Sequence, residues 1–119
     1  MMDKRKIGAA GEEAAARYLV RKGYAIRERN FRLTVGELDI VAIDKDGCTV
    51  FVEVKTRKNA DYGYPSQFVD RKKQQKLKLT AEMYCDRDIY MRFDVIEVYY
   101  ELRDNVMYIK EINHIENAF

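Results

Sequence analysis

Three charged residues stand where the surrounding pattern asks for apolar ones. Asp39 interrupts Glu37-Leu38-Asp39-Ile40-Val41, and Glu53 and Lys55 interrupt Phe51-Val52-Glu53-Val54-Lys55-Thr56, both segments being rich in Val and Ile. Central strands carry buried charge only with a partner or a purpose, because stripping an ion of water is costly. Between the two segments, Asp44-Lys45-Asp46-Gly47 reads as a hairpin turn in which Gly47 supplies a positive φ. If the turn is of the three-residue type, Asp44 opposes Cys48, and the same register sets Asp39 opposite Glu53. Opposed residues hold their Cβ atoms about 4.5–5.5 Å apart on one face of a sheet, and Lys55, two residues further along, shares that face.

Two carboxylates placed this close repel one another unless a proton or a cation intervenes. A divalent ion such as Mg²⁺ or Mn²⁺ needs only one or two protein carboxylates when phosphate and water complete its shell. Held there, it lowers the pKa of a bound water and offsets the charge that develops on a phosphodiester in the transition state. The ammonium of Lys55 would orient that water or neutralise the same charge. The competing reading of Asp39, Glu53 and Lys55 is a buried salt-bridge cluster without chemistry.

These residues need elements to hold them. Residues 5–22 are a helical mixture of Ala, Glu, Arg and Leu that stops at Gly23, with Ile7, Ala10, Ala14 and Tyr18 on the face expected to pack on a sheet. At about 100° per residue, Glu12 lies within about 60° of Ala15, Ala16 and Leu19, at the margin of the apolar face, while Glu13 points to solvent. Glu12 is therefore either a fourth site residue reaching the sheet edge and the metal, or an ordinary glutamate favoured in a helix's first turns. Strands are expected over Tyr24–Arg32, Glu37–Ile43, Cys48–Thr56, Met91–Tyr100 and Val106–Ile112. A loop from Asn59 to Gln67 holds the only proline, Pro65, and a second helix follows with Asp70 as N-cap and Leu77, Ala81 and Tyr84 as its buried stripe. The order αβββαββ predicts an α/β fold, a mixed β-sheet flanked by helices, in one domain spanning residues 1–119.

Net charge is only +2, but its distribution is uneven. Lys55 to Lys78 holds eight basic and two acidic residues, whereas Glu82 to the C-terminus holds four basic and nine acidic. Arg57, Lys58, Lys72, Lys73 and Lys76 are the candidates for contact with a phosphate backbone, the alternative being a solvated lysine-rich helix face. Glu37 alternates to the face opposite Asp39 and is expected to be a salt-bridge partner, unless a bulge in the strand moves it. Asp94, in Arg92-Phe93-Asp94-Val95, is expected to pair with an arginine, and the single histidine, His114, to be solvated. Cys48 and Cys85 form no CxxC pair, which argues against a zinc site or a disulfide framework and suits a cytoplasmic location. Short apolar runs and an N-terminus leading into Ala and Glu argue against secretion and membrane spanning.

Asp39 followed one hairpin later by Glu53-Val54-Lys55, after a glutamate-bearing helix, resembles the PD-(D/E)xK nuclease superfamily. More of the chain resembles the YraN family of small bacterial proteins: Gly11-Glu12-Glu13-Ala14-Ala15 with Leu19 and Gly23-Tyr24, Asn30-Phe31-Arg32, Gly36 to Ala42, Phe51 to Arg57, Arg92 to Val95, and Asn117-Ala118-Phe119. That resemblance implies a restriction-endonuclease-like fold, and similarity to archaeal Holliday-junction resolvases implies a site of Glu12, Asp39, Glu53 and Lys55. Leu38 departs from the superfamily pattern, where a proline nominally precedes the aspartate. The implied activity is Mg²⁺- or Mn²⁺-dependent hydrolysis of DNA, on branched structures, with Asp39, Glu53 and Glu12 as metal ligands and Lys55 activating the nucleophile. Junction resolvases act as dimers, so a homodimer is a further expectation. The alternative function is a non-catalytic nucleic-acid-binding or scaffold protein that retains the fold. A third is an adaptor that docks a protein on its acidic C-terminal surface.

Overall fold

The computed structural model describes residues 2–58, 69–85 and 90–119. The chain runs α1 (Lys4–Arg21), β1 (Ala25–Leu33), β2 (Gly36–Ile43), β3 (Thr49–Lys58), α2 (Arg71–Tyr84), β4 (Met91–Arg103) and β5 (Val106–Ile115). This is the expected order, in an α/β arrangement; the expected loop around Pro65 lies outside the described residues.

The sheet has strand order β1-β2-β3-β4-β5, with β3 and β4 parallel and the other neighbours antiparallel. The parallel pair needs a crossover, and α2 supplies it. The helices cover opposite faces. Ala15, Ala16 and Leu19 of α1 pack on Ile40, Ala42, Val50, Val52, Ile96 and Val98. Leu77 and Ala81 of α2 pack on Leu38, Val41, Phe51, Phe93 and Val95.

Local chemistry sets the helix ends. Asp3 caps α1 by accepting the Lys6 N–H at 2.9 Å, and Gly23, at φ 98°, ends it. The buried face of α1 is Gly11, Ala15, Ala16 and Leu19, one position round from the expected stripe. Ala14 and Tyr18 only flank the core. The reason is close approach: a Cβ at Gly11 would stand 2.0 Å from Thr56 Oγ1, so the helix settles on its glycine side. At α2 the expected cap is present, Asp70 Oδ1 accepting the Lys73 N–H at 2.8 Å.

The β2–β3 turn is also as expected. Gly47 has φ 86°, and the Asp44 N–H donates to the Cys48 carbonyl at 3.0 Å. The register runs from Ile43–Thr49 to Ile40–Val52. Beyond it lies an irregularity that alternation does not predict. Ile40 packs with α1, yet Leu38, two residues away, packs with α2. Phe31, opposite Leu38 on β1, also joins the α2 side. Between Arg29 and Phe31 sits Asn30 at φ 54°, a left-handed conformation that asparagine tolerates. β1 and β2 thus change face together at Asn30 and Asp39.

Candidate active site

The face change puts Asp39 where the ladder opens. β2–β3 pairing ends at Ile40–Val52, one pair short of Asp39 and Glu53. There the side chain takes over from the backbone, and Asp39 Oδ2 accepts the Val54 N–H at 2.9 Å. Asp39 and Glu53 line a shared cavity of about 150 Å³ with Glu37, Lys73 and Lys76. The two carboxylates that the hairpin register sets opposite one another do converge, through this local opening rather than through a regular pair.

Burial and neighbouring charge act unequally on the two acids. Burial pushes the Asp39 carboxyl up, and the charge of Glu53 pushes it further, to about 7, against the opposing pull of the Val54 N–H and Lys73. A carboxyl so poised takes up a proton or a cation readily. Glu53 has only 6% of its side chain exposed and meets two ammonium groups at one oxygen. Lys73 Nζ lies 2.7 Å from Glu53 Oε1, and Lys55 Nζ lies 4.0 Å from it. Burial and then the neighbouring Lys73 charge lower the Lys55 pKa. For Lys73, burial disfavours the ammonium, but the hydrogen bond and charge of Glu53 outweigh it and raise the pKa.

Glu12 sits one step back. Its carboxylate accepts from Asn30 Nδ2 at 2.9 Å and stands 3.5 Å from Arg29 Nε. Burial raises its pKa, with Arg29 pulling the other way. It reaches Asp39 electrostatically, adding to the upward push there. Glu37 needs a correction: it pairs with Arg32 at 3.5 Å, as expected of a salt-bridge partner, but lines the same cavity as Asp39. Strict alternation put it on the other face, and the irregularity at Asp39 cancels that alternation.

Among the basic candidates, Lys58, Lys72 and Lys76 are exposed, and Lys76 borders the cavity. Arg57 lies over a buried acid, with Nε 3.5 Å from Glu97. Lys73, a candidate for phosphate contact, also reaches Glu53 at 2.7 Å, a contact that the sequence reading did not name. The available signal was its position four residues before the buried Leu77, which places it on the inner stripe of α2.

The other charged strand residue behaves differently. Asp94 is fully buried and pairs with Arg92 at 3.0 Å, as expected. It also accepts from Asn117 N–H at 2.9 Å and lies 2.7 Å from His114 Nε2. His114 is not solvated: 3% of its side chain is exposed, because β5 runs three residues past its expected end and carries His114 alongside Ile96. Burial pushes the Asp94 carboxyl up, but hydrogen bonds from His114, Arg92 and Asn117 leave it below the usual carboxylate value.

Among the described residues no set of three or more His, Cys, Asp or Glu side chains is grouped to hold an ion unaided. Asp39 and Glu53, which line one cavity, are the two carboxylates that could ligate a hard divalent cation if other groups completed its shell. No described helix is long and apolar enough to cross a membrane.

Residues 11–98 match the uncharacterised protein family UPF0102. The chain is 46% identical over 123 residues to a UPF0102 protein of Caldicellulosiruptor saccharolyticus, covering 99% of this chain and 100% of that one. It is 43% identical over 122 residues to one from Caldanaerobacter subterraneus subsp. tengcongensis, covering 99% and 98%. A third, from Alkaliphilus oremlandii, is 45% identical over 121 residues, covering 97% and 98%. Likeness of this extent, running through the segments that carry Glu12, Asp39, Glu53 and Lys55, makes the chain a member of family UPF0102, the YraN family that its motifs resemble.

Proposed function

We propose that this protein is a cytoplasmic, divalent-metal-dependent nuclease that hydrolyses phosphodiester bonds in DNA, with branched DNA as its preferred substrate. The observation that carries the reading is that half-buried Asp39 and buried Glu53 line one cavity, where burial and then the charge of Glu53 push the Asp39 carboxyl up to about 7. Asp39 and Glu53 would hold Mg²⁺ or Mn²⁺, which supplies an activated water and positive charge at the phosphate. Lys55, its ammonium weakened by burial, is placed to orient that water or stabilise negative charge on the phosphate. Glu12 acts through Asn30 and its field on Asp39. Lys76, at the rim of the cavity, and the exposed Lys58 and Lys72 would take the backbone through contacts that carry no sequence preference.

The test is cleavage of branched, single-stranded and duplex DNA in Mn²⁺, with wild type compared against Asp39→Asn and Lys55→Ala. Metal-dependent cleavage lost in both variants is the expected result. Cleavage that survives both points to a contaminant and removes the proposal.

One observation favours a second reading, a DNA-binding protein without catalysis. The Lys73 ammonium already neutralises Glu53 at 2.7 Å. DNA binding with no cleavage in any metal, unaffected by Asp39→Asn, would establish that reading.

A further inference from the structure

Lys73 occupies an unusual position for a surface lysine. It projects from the first turn of α2 into the cavity, and its Nζ approaches Glu53 Oε1 more closely than the Lys55 ammonium does, 2.7 Å against 4.0 Å. The two lysines differ in anchorage and exposure. Lys55 stands on a central strand two residues from Glu53 and is 28% exposed, whereas Lys73 stands on α2 and is 46% exposed. The Lys73 ammonium thus has the more open path to solvent. The Lys73 ammonium also acts on both acids at once, hydrogen-bonding Glu53 and drawing the Asp39 carboxyl down. One monovalent cation on a flexible tether thus partly does what a divalent ion would do fully.

We infer that Lys73 is a tethered counter-ion that holds the Asp39–Glu53 site in the absence of metal, is displaced from Glu53 when a divalent cation binds, and is thereby released to a phosphate oxygen of the nucleic acid. The inference rests on the cation reading of that pair. Metal and backbone binding then become coupled: each cation that enters frees one ammonium at the rim of the site, and a phosphate that captures it leaves Glu53 open to the cation. Glu53 is never left buried without a positive partner, a state that is unfavourable for a desolvated charge.

The experiment measures Mn²⁺ binding to the full chain by isothermal titration calorimetry without DNA, so no turnover is needed. Lys73→Met keeps the stem and removes the charge, Lys73→Arg keeps the charge, and Lys78→Met removes an exposed lysine further along α2. Far-UV circular dichroism confirms that each variant is folded. Lys73→Met is expected to bind Mn²⁺ about tenfold more tightly than wild type, Lys73→Arg no more tightly, and Lys78→Met within about twofold. In addition, Ca²⁺ should raise the affinity of wild type for duplex DNA several-fold more than that of Lys73→Met. If Lys73→Met and Lys78→Met shift Mn²⁺ affinity equally, Lys73 is only one more positive charge and the inference fails while the nuclease reading stands. If neither wild type nor Lys73→Met binds Mn²⁺, the cation reading fails and takes the inference with it.

Discussion

Two charge clusters on the sheet, one on each face, are built on opposite principles. Toward α1, Asp94 accepts from Arg92, His114 and the Asn117 N–H, while Arg92 reaches on to Asp44 and the Tyr24 hydroxyl, both at 2.7 Å. Toward α2, Asp39 and Glu53 line one cavity, and among the described residues the cations that meet Glu53 are the lysines Lys73 and Lys55. The first network lowers its carboxyl pKa and the second raises it to about 7. Both break the apolar pattern of a strand, so charge in a strand does not by itself identify a site. The distinguishing feature is whether planar, bidentate donors satisfy the carboxylate or leave it in want of a cation.

The largest effect tests the closed cluster. Arg92→Ala leaves Asp94, buried at 0% exposure, facing only His114 and a backbone N–H, and should cost about 3–5 kcal/mol in urea unfolding. Mn²⁺ affinity should not change. A loss under about 1 kcal/mol would mean that the network is not what holds Asp94 charged. Next comes the open cluster, where Asp39→Asn should reduce DNA cleavage by roughly 100- to 1000-fold while leaving the protein at least as stable at pH 8. A variant that unfolds would make Asp39 a second structural acid and abolish the contrast.

A smaller effect separates the two clusters by pH. Asp39 has a folded pKa above its ordinary 3.8, so the stability it contributes is fully present below that value and is lost as pH rises through about 7. Asp94 has a depressed pKa, so its contribution is present above the ordinary value of 3.8 and is lost as pH falls through its folded one. Wild type should lose about 2 kcal/mol relative to Asp39→Asn between pH 5 and pH 8, read from urea midpoints. A flat difference across that range would show that Glu53 does not press on Asp39. The smallest effect lies outside both clusters: Lys72→Ala should reduce the salt slope of DNA binding by about 0.9 without altering stability.

Much of the open site can be read directly from residue order. The Asp44–Gly47 turn chemistry sets the β2–β3 register, and that register names Asp39 and Glu53 as neighbours because side-chain period and turn length are local properties. Gly23 announces the end of α1 and Asp70 the start of α2 for the same reason. Glu37 shows where such reasoning ends, since its face depends on a left-handed residue, Asn30, in another strand. His114 shows it again: nothing adjacent in the chain reveals that β5 continues far enough to bury it beside Asp94.

Residue order alone determined the order of elements, the hairpin that pairs an acid from β2 with one from β3, and the lysine two positions along. Each follows from interactions between residues close in the chain. Packing decided the rest: the paired face change in β1 and β2 that opens the ladder at Asp39, the approach of Lys73 from α2 to Glu53, and the closure of the Asp94 network by His114. Those depend on which elements meet across the sheet, and burial, which turns a pair of acids into a demand for a cation, exists only once they have met.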